Sequence, residues 1–154
     1  MVTFLAEKGA NVNRSHGYYS PLLIASLKQP DVVSFLLQNG VDVSEMGEDL
    51  GNTPLTAALR YAECRSSTHC HGIVGTLLSA GADPNKPNKY GETALQLASD
   101  TEITSLLIQA GADLEVRNDL SRTPLLEAAY RKGIDVIRVL KKYGADMAAV
   151  QLFW

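Results

Sequence analysis

Four side chains able to ligate a soft metal, or to act as nucleophile and base, crowd into one stretch: Cys64-Arg65-Ser66-Ser67-Thr68-His69-Cys70-His71. Thiolate and imidazole are common zinc donors, and a cysteine beside a histidine can be an activated nucleophile. The spacing argues against both. Zinc sites pair cysteines across two to four residues and add a second pair at a distance. Here five residues separate Cys64 from Cys70, and no second cluster follows. His69, Cys70 and His71 are chain neighbours and cannot all point at one ion, so Cys64, His69, Cys70 and His71 are weak metal candidates. The plainer expectation is a flexible loop carrying two free thiols. The sequence also lacks a phosphate-cradling glycine loop, a glycine-flanked serine elbow and a helical histidine pair with a glutamate. No enzyme, cofactor or small-molecule substrate is expected.

Lys and Arg total 14 against 17 Asp and Glu, a net charge of -3. That balance gives no basic excess to hold a phosphate backbone, so nucleic acid is not the expected partner. Two cysteines are too few to staple a secreted scaffold, which favours a reducing intracellular compartment, cytoplasmic or nuclear. The start Met1-Val2-Thr3-Phe4-Leu5 lacks the basic leader and long apolar run of a signal peptide. No stretch approaches the roughly 20 apolar residues of a membrane span.

Any site in this chain must be positioned by elements that recur. Thr53-Pro54-Leu55 returns as Ser20-Pro21-Leu22, Thr93-Ala94-Leu95 and Thr123-Pro124-Leu125. Leu77-Leu78-Ser79-Ala80-Gly81-Ala82-Asp83 is echoed by Gly9-Ala10-Asn11, Gly40-Val41-Asp42, Gly111-Ala112-Asp113 and Gly144-Ala145-Asp146. A threonine followed by proline starts a helix, because the hydroxyl can accept from free amides and the proline sacrifices no bond there. The stripe Ile73, Val74, Leu77 and Leu78 predicts a second helix, which Gly81 ends. Neither helix is long enough to stand alone, so the units must stack. The helix starts are 33, 40 and 30 residues apart, and both length changes are expected in loops: an insertion at 62–71 and a deletion around Asp100-Thr101.

This pattern resembles the ankyrin repeat over essentially residues 2 to 147. The resemblance implies an all-α repeat solenoid: one domain, residues 1–154, of stacked helix-turn-helix units joined by β-hairpin-like loops. It comprises a partial repeat at 1–16, repeats at 17–49, 50–89, 90–119 and 120–147, and a tail at 148–154. The histidine usual after Thr-Pro-Leu is replaced by Leu23, Thr56, Gln96 and Leu126. The polar tie it makes between repeats is therefore expected to be missing, leaving the stack to apolar packing. At the C-terminal end Lys141 and Lys142 stand where earlier units carry Leu37, Leu78 and Ile108, which suits a solvated cap. The N-terminal half-repeat lacks a covering helix, as expected of a piece of a longer array.

Membership of this family would make the chain a protein-protein interaction module, a scaffold or adaptor without catalysis, whose concave face meets a partner protein. By matching, that face would carry His16, Tyr19 and Lys28; Asp49, Leu50, Asn52, Arg60 and Tyr61; Lys89, Tyr90 and Glu92; and Leu120, Arg122, Tyr130 and Arg131. Tyrosine and arginine dominate interface hot spots because they join large contact area to a polar handle. The other reading is a structural spacer in a larger ankyrin protein whose activity lies elsewhere.

Overall fold

The computed structural model describes residues 21–25, 29–48, 50–61, 68–131 and 133–148. Its helices are α1 (Pro21–Ala25), α2 (Pro30–Gln38), α3 (Pro54–Tyr61), α4 (Thr68–Ser79), α5 (Ala94–Leu97), α6 (Thr101–Gln109), α7 (Pro124–Tyr130) and α8 (Ile134–Lys142). The odd-numbered helices stack on one another in one row and the even-numbered helices in a second. Leu22, Leu55, Leu95 and Leu125 from the first row, with Leu36, Leu77, Leu107 and Leu140 from the second, belong to one continuous buried cluster. Repeat proteins are built this way because no single unit can close its own core.

Every second helix ends identically. The amide of the residue after the glycine reaches back to the helix, as Val41 N to Leu36 O (3.2 Å), Ala82 N to Leu77 O (3.0 Å), Ala112 N to Leu107 O (3.0 Å) and Ala145 N to Leu140 O (3.1 Å). That bond requires the intervening glycine in the left-handed region, where side chains are strained. The chain then turns through a finger that leads to the next helix. Within one finger Asn88 N donates to Glu92 O at 3.0 Å, and within another Asn118 N donates to Arg122 O at 3.1 Å. The fingers are also tied to each other, Lys89 N to Leu50 O at 3.0 Å and Asp119 N to Tyr90 O at 3.1 Å.

The structure corrects three expectations. Residues Thr68 to His71 are the first turn of α4 rather than the end of a loop, so part of the insertion lengthens a helix. The three-residue deletion removes helix instead of loop: α5 has four residues where α3 has eight and α7 has seven. It is cut short because Ala98 turns extended, with ψ at 131°, and Asp100 caps α6 by accepting from Glu102 N (2.9 Å) and Ile103 N (3.0 Å). The polar tie between repeats is present after all in one unit. Buried Gln96 accepts from Thr93 N at 2.9 Å and donates from Nε2 to Val116 O (3.2 Å) of its own repeat and to Arg122 O (2.7 Å) of the following one. An amide with one acceptor and two donors can serve both repeats at once. Thr56, at the matching position, bonds only Thr53 of its own unit.

Lys141 and Lys142 are exposed. Residues 1–20, and with them the N-terminal half-repeat, lie outside the described residues.

Two predictions follow from this packing. At Gly91, with φ of +68°, an added Cβ would stand 3.0 Å from Asp119 N and 2.7 Å from its Oδ1. At Gly111, with φ of +91°, it would meet nothing within 4 Å. Gly111→Ala should therefore cost about 1 kcal/mol of backbone strain, and Gly91→Ala about 2 kcal/mol or more because the finger contact must also yield. Urea unfolding of both variants measures the difference, and equal losses would contradict it.

Asp100 supplies the second. Burial raises its pKa, but the backbone amide of Ile103, the hydrogen bond and charge of His71, and the amide of Glu102 together outweigh that and lower it below 3.8. A carboxylate with a lowered folded pKa stabilises the fold above its unfolded value, and the contribution fades as pH falls through the folded value. Asp100→Ala should destabilise by about 1 kcal/mol near neutral pH, through loss of the cap. The gap to the parent should close only below 3.8. Stability curves across that acid range provide the check.

Candidate functional site

Among the described residues the Cys/His stretch does not assemble a metal site. His69, Cys70 and His71 all lie on α4, where positions one and two apart face different directions. His71 turns to the next repeat, its Nε2 2.9 Å from Asp100 Oδ1 and its Nδ1 3.8 Å from Glu102 Oε2. His69 is exposed. Among the described residues no group of three His, Cys, Asp or Glu side chains could hold a metal ion. Cys70 is buried and disulfide-bonded, which corrects the expectation of free thiols. The only other cysteine, Cys64, lies outside the described residues. With the free thiols goes the ground for inferring a reducing compartment. No described helix is long and apolar enough to cross a membrane.

The first-helix row and the fingers place the aromatic and charged candidates. Tyr61 and Tyr130 close α3 and α7, and Tyr90 sits at a fingertip; each is substantially exposed, Tyr130 to 69%. The Arg60 guanidinium lies 5.3 Å from the centre of the Tyr90 ring, and that of Arg122 lies 3.9 Å from the centre of the Tyr130 ring. Such contacts hold both partners of the pair in place through the ring quadrupole. Leu120, at the next fingertip, is 68% exposed. Aromatic and apolar surface held out in this way on a rigid frame would normally be buried by folding.

Other candidates turn inward. Asn52 is only 4% exposed and accepts from Asn88 Nδ2 at 3.3 Å, so it holds fingers together and has no surface to offer a partner. Glu92 is likewise an internal tie, accepting from Arg60 Nη1 of the preceding repeat and from Asn88 Nδ2 at 2.9 Å. Leu50 is half-buried under its bond from Lys89 N, and Lys89 Nζ donates to Glu48 O. Tyr19, Lys28 and Asp49, with His16, lie outside the described residues.

Arg122 and Arg131 share a carboxylate that sequence reading passed over. Glu127 is 5% exposed and receives Arg131 Nε at 3.1 Å and Arg122 Nη1 at 3.4 Å. Arg131 Nη1 also reaches Leu97 O of the preceding repeat at 3.5 Å. A buried carboxylate must be compensated, and two guanidiniums do so here. The four-residue spacing of Glu127 and Arg131 on a helix was the available signal.

Comparison with known proteins gives a single answer. Residues 62–151 match the family described as "Ankyrin repeats (3 copies)" and residues 18–47 match "Ankyrin repeat". The chain is 36% identical over 135 residues to an ankyrin repeat protein of fowlpox virus, an alignment spanning 83% of this chain and 38% of the viral one. It is 37% identical over 123 residues to ankyrin repeat and SOCS box protein 6 of Homo sapiens, across 72% of this chain and 28% of that one. Against the nuclear factor NF-kappa-B p105 subunit of Gallus gallus it is 34% identical over 153 residues, 95% of this chain and 15% of the other. The chain thus spans well under half the length of these relatives. On the buried leucine rows, the glycine-ended second helices, the paired fingers and a repeat match over more than half its residues, the chain belongs to the ankyrin-repeat family.

Proposed function

We propose that this chain is a non-catalytic protein-binding module, a scaffold or adaptor that meets a partner protein along its fingers and first-helix ends. Ankyrin repeats in general mediate protein-protein interaction, and the chain matches them on both sides of its insertion. One observation carries the reading for this chain in particular. The threonines and leucines that open the first helices, Thr53, Leu55, Thr93, Leu95, Thr123 and Leu125, are buried, while Tyr61, Tyr90, Leu120 and Tyr130 stay exposed on the same row of elements. Rigid aromatic surface loses little entropy on binding, which is why it dominates hot spots. Arg60 and Arg122, each set beside a tyrosine ring, add polar contacts without needing to be ordered first.

The test is capture from native cells with the intact chain and with a Tyr61→Ala/Tyr90→Ala variant. Proteins retained by the parent should be held about tenfold or more weakly by the variant, a loss of about 1.4 kcal/mol or more. Helicity by circular dichroism should not change, since both side chains are exposed. Equal retention by parent and variant would leave the spacer reading in its place.

A further inference from the structure

The two arginine-tyrosine pairs differ in charge. Arg60 is matched by one carboxylate, Glu92, so that pair is neutral. At the other end, two guanidiniums share the single carboxylate of Glu127, leaving a net positive charge beside Leu120 and Tyr130. The arginine side chains remain 29% and 36% exposed. Each guanidinium carries five N–H donors. Arg122 directs Nη1 at Glu127, and Arg131 directs Nε at Glu127 and Nη1 at Leu97 O. The nearby fingertip does not cancel the excess: Asp119 is accompanied on the same finger by Arg117, whose Nη1 donates to Ser121 O at 3.1 Å. This local excess lies on a chain whose overall charge is -3, so it marks a place rather than a general taste for polyanions.

We propose that the last-repeat end of the groove receives an acidic segment of a partner protein: a carboxylate set between the Arg122 and Arg131 guanidiniums, with an adjacent apolar side chain lying on Leu120 and Tyr130. The inference rests on the proposal above that a partner protein meets the fingers and first-helix ends, and adds the chemistry and polarity of the ligand. Guanidinium is the suited group, because its planar fork matches a carboxylate and it desolvates more readily than an ammonium. The Arg60–Glu92 pair is neutral in itself, and the ammonium on its finger, Lys89, is directed at Glu48 O. The bound segment therefore has a direction, with its acidic part over the last repeat.

The full chain, immobilised, is offered a display library of random dodecapeptides. Recovered peptides should be enriched in Asp or Glu next to Leu, Phe or Tyr, and a synthetic copy of the most enriched peptide serves as the probe. Arg131→Gln keeps Glu127 paired with Arg122 but removes the excess charge, and should weaken the probe about tenfold. Glu127→Gln enlarges the excess and should strengthen it about threefold or more, a gain that a misfolded variant cannot produce. Recovery of no acidic peptide, no gain with Glu127→Gln, or preferential capture of a single-stranded oligonucleotide would overturn the proposal. Peptides without acidic bias that are lost on Tyr61→Ala/Tyr90→Ala would sink only the acidic inference and leave the groove standing. Peptides indifferent to both sets of changes would sink both.

Discussion

Burial of one-sided helices against their neighbours is the constraint on which everything else here depends. A helix of four to twelve residues is not stable in water by itself. Each repeat therefore buries its leucines only by giving the other side of its helices to the next repeat. The fully buried Leu22, Leu55, Leu95 and Leu125 show how regularly this is achieved. Since stacking fixes one face and leaves the fingers and helix ends outside it, frame and surface are made by different residues.

The polar contacts have to be understood within that frame. Several polar side chains join one unit to the next: Gln96 to the carbonyl of Arg122, Glu92 to Arg60, and His71 to Asp100. These ties set the register between repeats, because an amide or carboxylate left buried without partners costs more than the bond itself returns. The shortest first helix coincides with the best-tied unit. With a first helix of only four residues, the 90–119 repeat carries both the Gln96 bridge and the Asp100 cap. Buried hydroxyls behave otherwise: that of Thr56 bonds within its own unit, and that of Thr93 has no hydrogen-bond partner among the described residues.

The fold could be read from the sequence because its signals are local and repeated. Threonine with proline before Leu55 or Leu125, and the glycines after the second helices, act within a few residues of themselves. Length changes were harder to place. Loop and helix can each absorb them, and which one does depends on caps such as Asp100 and on whether Thr68 to His71 join a helix. Side-chain direction was harder still. Asn52 and Glu92 occupy groove-like positions in the repeat, yet they point to Asn88 and Arg60, partners 36 and 32 residues away. No periodicity encodes such a pair. Glu127 differs, because its arginines are four and five residues away and the spacing to Arg131 is legible, but a helical glutamate reads as surface until its burial is seen.

That last case shows why counting charges along a chain misjudges a groove. Arg60, Arg122 and Arg131 all contribute one positive charge, but only the arrangement of Glu92 and Glu127 decides where that charge persists. A carboxylate buried beneath one guanidinium makes a neutral post that holds a tyrosine in position. Beneath two, it becomes a pedestal, fixing both arginines while neutralising only one. Held by the buried acid, these guanidiniums lose less freedom on meeting a ligand than solvent-exposed arginines would. The same bonds that bury Glu127 leave Arg122 and Arg131 ordered at the surface of the 120–147 repeat, and the two arginine-tyrosine pairs differ in charge because one carboxylate serves a single arginine and the other serves two.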